Sequence, residues 1–264
     1  MDVTVTSSVI KIGKEKVPSP GLGTYQLTGK AGEQAISDAI RRGYRHLDSA
    51  QYYRNEEVVG NAVRNSGKVR KDFFVATKIW PTEFSKRNFM PAVERSIREL
   101  NLDYIDLLLL HWPADDTAND VASELMNEAI HKGYARLVGV SNFSIAQLKR
   151  AQSLAPVFCN QVEYNPYTIQ KEMVEYIQAN NLMMTAYQPL SRGKVNTDAT
   201  IISLGKKYGK TPGQIVLRWL VQQENVCPIP KAGSEKDLIE NMKIFDFSLS
   251  EGDMEMITDL SSKR

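Results

Sequence analysis

Along the chain, short apolar runs alternate with longer stretches in which apolar positions recur every three or four residues. Residues 8–18, SVIKIGKEKVP, alternate apolar and polar positions around Gly13 and predict a small hairpin. The run GLGTYQL, from Gly21, predicts a first buried strand. Further strand-like runs follow at 44–48, 73–78, 104–111, 136–141, 157–161, 183–187 and 226–230. Helical periodicity fills the intervals, beginning with 32–42, where Ala35, Ile36 and Ile40 share one face. It continues at 56–65, 90–100, 118–132, 145–154, 171–180, 200–208 and 211–223, and two last helices are predicted at 235–243 and 251–260. Strands that are apolar almost throughout, nearly every one followed by a helix, imply a parallel sheet covered by helices. Eight such repeats predict an α/β fold closed into a (β/α)8 TIM barrel with an N-terminal β-hairpin. An open doubly wound sheet is the alternative, because periodicity does not reveal closure.

The length supports this reading, since 264 residues is close to the ~250 at which such a barrel forms one domain. No low-complexity stretch or Pro/Gly linker divides the chain, so one domain is expected over 1–264. Basic and acidic residues number 33 and 31, a formal charge of +2. That argues against binding nucleic acid by bulk electrostatics, while leaving room for a local patch that meets a phosphorylated small molecule. Cys159 and Cys227 lie far apart with no C-x-x-C spacing, which points to neither a disulfide framework nor a zinc site. The opening MDVTVTSSVIKIGKEK lacks a leader profile. The longest apolar stretch, 105–110, contains Asp106 and falls far short of the ~20 residues that span a bilayer. A monomeric cytoplasmic protein without a membrane partner is expected.

In either fold, ligands gather at the carboxyl ends of the strands. Those ends carry Tyr25, Asp48, Lys78, His111, Ser141 with Asn142, Gln161, Tyr187 and Lys231. Singly, each has an ordinary explanation: a turn-forming Asp, a solvated Lys, a hydrogen-bonded His. Together, at consecutive strand ends of a barrel, they converge on one mouth. Asp48 is followed five residues later by Tyr53, and the set suits proton donation to a carbonyl. A neighbouring Lys78 ammonium lowers the pKa of a phenol, Asp48 keeps that ammonium charged, and His111 hydrogen-bonds the substrate oxygen or relays a proton.

The string HLDSAQYYRNEEVVG resembles the signature of the aldo-keto reductases, in which an Asp precedes a Tyr by five residues and N-E-E-x-x-G opens a helix. TKIW, LLLLHWP, GVSNF, NQVEYNP, AYQPLSRG and IPKAGS match the family in order, making seven motifs from about Val9 to Leu260. Within the family the chain looks most similar to the small bacterial-type 2,5-diketo-gluconate and methylglyoxal reductases. The resemblance implies NADPH-dependent reduction of aldehydes and ketones, among them 2-oxoaldehydes and diketo-sugar acids. It implies a catalytic tetrad of Asp48, Tyr53, Lys78 and His111, with Tyr53 as the acid, and a dinucleotide held without a G-x-G-x-x-G loop, which this chain lacks. Tyr187 would stack on the nicotinamide, and Ser141, Asn142 and Gln161 would bond its carboxamide. Gly23, Thr24 and Tyr25 would lie beside the cofactor, and Leu190, Ser191, Gly193 and Lys194 along the pyrophosphate. Lys231 and Ser234 would meet the 2′-phosphate, and Glu240 and Asn241 the adenine. Tyr25, Trp80 and Trp112 would wall the substrate with His111, while Trp219 belongs to packing.

Three departures stand out. Asp237 occupies a place where many relatives carry Arg, which weakens the NADPH preference and lets NADH be tolerated, unless Lys236 compensates. Ala232-Gly233 removes a further phosphate contact. The chain stops at Arg264, where relatives often continue into a loop over the substrate, so an open pocket is expected. Rival chemistries fit less well. Tyr167 and Lys171 match the Y-x-x-x-K of short-chain dehydrogenases but follow Pro166 without a glycine-rich loop. GVSNF is not a G-x-S-x-G elbow, and His46, His111 and His131 show no metal-ligand spacing. A non-catalytic dinucleotide sensor of the same fold is the alternative from another functional class.

Overall fold

A computed structural model describes residues 8–262 of the chain. Residues 1–7 and 263–264 lie outside it, and with them the start of the segment read as leader-free and the terminal Arg264. The predicted hairpin forms from β1 (Ser8–Ile12) and β2 (Glu15–Ser19), with Gly13 in the left-handed region at the turn. Eight parallel strands follow: β3 (Leu22–Gly23), β4 (His46–Asp48), β5 (Phe74–Ile79), β6 (Ile105–Leu110), β7 (Ala135–Ser141), β8 (Val157–Glu163), β9 (Met183–Tyr187) and β10 (Val226–Pro228). Each pairs with its neighbour in chain order. The ring is closed by backbone bonds, because the Gly21 N–H donates to Pro228 O at 3.0 Å and the Gly23 N–H to Pro230 O at 3.1 Å. Those two bonds decide between the barrel and the open sheet.

The first strand is shorter than its sequence suggests. After Gly23 the Thr24 N–H turns to Asp48 O and the Leu27 N–H closes a turn on Thr24 O, with Gln26 at φ 67°, so Tyr25 leaves the sheet for the rim. All ten predicted helices form: α1 (Gly29–Arg41), α2 (Glu56–Arg64), α3 (Phe89–Leu100), α4 (Asp116–His131), α5 (Ile145–Leu154), α6 (Lys171–Ala179), α7 (Ala199–Tyr208), α8 (Pro212–Val221), α9 (Glu235–Met242) and α10 (Glu251–Thr258). Side chains explain several boundaries. Ser144 and Thr211 make reciprocal capping boxes with Gln147 and Gln214, and Asp198, Ser234 and Ser250 accept first-turn N–H groups. No helix among the described residues is long and apolar enough to cross a membrane.

The period of two in the strands positions the chemistry. Val75, Leu108, Leu110, Val138, Val140, Met184 and Ala186 pack outward against the helices. Phe74, Ala76, Leu107, Leu109, Cys159, Met183 and Cys227 fill the barrel interior over Ile12 and Val17 of the hairpin. Continuing the inward series upward leads from Ala76 to Lys78, from Leu109 to His111, from Cys159 to Gln161 and from Met183 through Thr185 to Tyr187. The same alternation in β4 sets His46 below and Asp48 above. At the lower end, buried Asp106 accepts from Arg70 at 2.6 Å and Arg136 at 2.7 Å, and Arg136 reaches Glu15 of the hairpin at 3.0 Å. His46 is fully buried there and its imidazole is pushed down to about 4 by desolvation, so it is neutral.

Candidate active site

A cleft of about 1190 Å³ opens at the carboxyl ends of the strands, more than the ~300–1,000 Å³ usual for one small ligand. Beneath it, Lys78 is wholly buried, and its ammonium has three donors to satisfy. They go to Asp48 Oδ1 at 2.5 Å, Ser49 O at 2.7 Å and Tyr53 Oη at 3.4 Å. Asp48 uses its other oxygen to accept from Gln161 Nε2 at 2.8 Å. Burial is the largest single influence on the lysine and works against its charge, but the Asp48 carboxylate and Tyr53 together overcome it and hold the ammonium above its ordinary value.

Tyr53 sits on a short 3-10 turn, Gln51–Tyr53, between β4 and α2. Gln51 anchors that turn to Ala92 O and Ser96 Oγ of α3, both within 2.9 Å. Asn55 ties it to the β3 exit by donating to Thr24 O at 2.8 Å and Leu27 O at 3.0 Å. The acidity of Tyr53 departs from expectation. Burial raises its pKa and exceeds the downward pull of Lys78, so the phenol keeps its proton. Lys78 does lower the value, as the sequence implies, but the depth of burial that opposes it is a property of the fold. His111 is pushed down to about 3 by burial and the Lys78 charge, which makes it a neutral imidazole.

Aromatic rings surround these groups. Tyr52 stacks on Trp80 at 4.4 Å between centroids, and Trp80 and Tyr53 meet His111 edge-on at 5.1 and 5.6 Å. Tyr25 packs against Tyr53 at 5.0 Å. Tyr25, Tyr52 and Trp112 are half exposed on the rim. Tyr52 escaped the sequence reading because its neighbour Tyr53 absorbed the signature.

The opposite wall is built from amides and hydroxyls. Asn142, at φ 64°, donates to His111 O at 3.2 Å and accepts from Tyr187 Oη at 2.9 Å. Ser141 Oγ donates to Gln161 O at 2.9 Å. Glu163, the next inward position of β8 after Gln161, also lines the cleft, and the period of two could have found it. Gly23 lines the far part with Lys231, and a Cβ on Gly23 would meet Ile229 O at 2.8 Å.

Of the positions singled out in the sequence, Gly23, Thr24, Tyr25, Asp48, Tyr53, Trp80, His111, Trp112, Ser141, Asn142, Gln161, Tyr187, Leu190, Gly193, Lys231 and Asn241 line this one cleft, and Lys78 lies directly under it. Ser191, Lys194, Ser234 and Glu240 do not line it. Lys194 turns onto the ring of Tyr167 at 4.0 Å, Ser234 caps α9, and Glu240 faces Lys236 at 3.6 Å. Arg192, Gln26 and Asp237 line it instead.

The family model described as "Aldo/keto reductase family" matches residues 21–262. The chain belongs to the aldo/keto reductase family. It is 36% identical over 250 residues to glyoxal reductase of Bacillus subtilis, covering 93% of this chain and 90% of that protein. A crystal structure of a putative 2,5-diketo-D-gluconic acid reductase B superposes with a TM-score of 0.93 at 35% identity, over 98% of this chain and 93% of that one. A Bombyx mori aldo-keto reductase, solved in complex with NADP, gives a TM-score of 0.88 at 33% identity, over 98% and 95% of the two chains. As an aldo/keto reductase the protein is an NAD(P)H-dependent oxidoreductase acting on small carbonyl compounds.

Proposed function

We propose that this chain reduces small aldehydes and ketones, 2-oxoaldehydes first among them, to alcohols, with Tyr53 as the proton donor. The observation that carries the reading is the Lys78 ammonium, whose three donors go to Asp48, Ser49 and Tyr53 Oη. Because Tyr53 Oη accepts from Lys78, the phenol's own hydrogen is left for an acceptor in the cleft. A bound reduced nicotinamide supplies the hydride that reaches the carbonyl carbon. Tyr53 gives its proton to the carbonyl oxygen, and the phenolate left behind is stabilised by Lys78, which Asp48 keeps charged. Neutral His111 orients the carbonyl oxygen by hydrogen bonding.

The residues present suit a dinucleotide. The cleft exceeds the needs of a small carbonyl, and its far part passes Gly23, where even a Cβ would meet Ile229 O at 2.8 Å. Ser141, Asn142 and Gln161 would hold the carboxamide and Tyr187 would flank the ring, with Gly23, Thr24, Tyr25, Leu190 and Gly193 alongside. NADPH is the family's cofactor, and NADH is accepted with it. Tyr25, Trp80 and Trp112 wall the carbonyl side, joined by Tyr52. The cations among the described lining residues are Arg192 and Lys231, beyond β9 and β10. A carboxylate would meet no cation on the aromatic side, which favours neutral 2-oxoaldehydes over diketo-sugar acids. We infer one domain over 1–264 acting as a monomer in the reducing cytosol, where the free buried thiols of Cys159 and Cys227 persist.

The test is consumption of NADPH and of NADH, followed by nicotinamide absorbance, with methylglyoxal, a nitrobenzaldehyde and a diketo-sugar acid. Turnover of the neutral aldehydes is expected. Tight dinucleotide binding without turnover of any carbonyl would overturn the reading and leave a sensor module.

A further inference from the structure

The cleft does not stop at the barrel rim. It crosses the exits of β3 and β10 and runs out to the helix layer, where Lys231, Gly233, Asp237 and Asn241 line it. A ligand whose reacting end lies at Tyr53 has its other end here. Loops after the last strands of such barrels commonly hold a phosphate on backbone N–H groups and a helix N-terminus. In this chain that arrangement is already filled from within. Asp237 Oδ2 accepts from the Gly233 N–H at 3.1 Å, and the Asp237 N–H donates to Ser234 Oγ at 3.1 Å.

The neighbouring cations are turned to other partners. Arg42 is ion-paired with Glu235, and Lys236 is 3.6 Å from Glu240 with its side chain 79% exposed. Lys231 donates to Gln26 Oε1 at 3.0 Å across the cleft. The first turn of α9 therefore presents fixed negative charge, from Glu235 and Asp237, with Asp237 facing the cleft. A carboxylate in that setting accepts from a free ribose hydroxyl and repels a phosphate in its place, the logic by which acidic residues select unphosphorylated dinucleotides in other folds.

Resting on the dinucleotide reading above, we propose that Asp237 decides which dinucleotide this chain takes, accepting from the adenosine ribose of NADH and repelling the 2′-phosphate of NADPH. The chain thus loses the phosphate selectivity of its family through one carboxylate. The charge is partly exposed, so its repulsion weakens with salt over a Debye length of about 8 Å at physiological ionic strength.

Dissociation constants for NADPH and NADH, from quenching of the protein's tryptophan fluorescence, test this without reliance on turnover. Asp237→Asn keeps an acceptor for the Gly233 N–H while removing the charge, so the fold is preserved, which circular dichroism checks. It should lower the Kd for NADPH about tenfold and leave that for NADH within about threefold, a change worth about 1.4 kcal/mol. Asp237→Arg should move the ratio further, and salt should narrow the wild-type difference. A ratio that shifts less than about threefold in both variants overturns the proposal. If neither dinucleotide binds the wild-type chain, the cofactor reading itself fails, and the selectivity proposal with it.

Discussion

On the β3–β6 side of the mouth, ionisable and aromatic groups crowd together, and the polar atoms that matter are buried: Asp48, Lys78 and His111 are all under a tenth exposed. On the β7–β10 side, the groups nearest Tyr53 are amides and hydroxyls, already bonded to one another through Ser141, Asn142, Gln161 and Tyr187, and the charged Glu163, Arg192 and Lys231 are spread along the cleft rather than clustered. The first side moves a proton, and its charges are shifted by desolvation. The second holds a shape, and nothing in it needs to change protonation. Side-chain donors of the second side reach across to the first, Gln161 Nε2 to Asp48 Oδ2, Asn142 Nδ2 to His111 O and Lys231 Nζ to Gln26 Oε1. A barrel can divide labour this way because each strand end is independently mutable while all eight point at one volume.

The largest expected effect lies on the first side. Tyr53→Phe should cut turnover by about a thousandfold while dinucleotide affinity, read by fluorescence titration, stays within about twofold. Near-normal turnover would remove Tyr53 as the acid and with it the division between the halves. Asp48→Asn should lower turnover by about a hundredfold and also cost about 3 kcal/mol of stability in urea denaturation, because the buried Lys78 ammonium loses its counter-charge. An unchanged denaturation midpoint would show that the ion pair is not structural.

Smaller effects should distinguish the second side. Asn142→Gly keeps the left-handed backbone at φ 64° but deletes the amide. We expect the dinucleotide Kd to rise about tenfold with kcat at saturation nearly unchanged; a fall in kcat alone would blur the comparison. Tyr52→Ala removes the ring stacked on Trp80 and should raise KM for an aromatic aldehyde several-fold, by roughly 1 kcal/mol, with little effect on methylglyoxal. Equal changes for both substrates would mean that the rim does not read the substrate's body.

Most of this architecture is legible in the sequence. Inward strand positions ending in Asp48, Lys78, His111, Gln161 and Tyr187 follow from a period of two, and the helices follow from a period near 3.6. What escaped lies where chain direction is set by loop dihedrals. Ser191 and Arg192 both take positive φ, which accompanies Arg192 toward the cleft and Lys194 onto Tyr167. The direction of the Tyr53 shift escaped for another reason: a sequence displays the neighbouring charge of Lys78 but not the depth of burial that opposes it. The bond between Gln26 and Lys231 spans 205 positions, beyond any local pattern.

The barrel's seam has a consequence for how the molecule answers its ligand. The first and last staves are short, two and three residues, and are sewn by two backbone stitches at Gly21 and Gly23. The cleft runs directly over that seam, with Gly23 and Lys231 on its two lips. Whatever fills the cleft is therefore also a clasp. Its binding energy falls on a join that rests on those two backbone bonds, and occupancy and integrity of the barrel rise together.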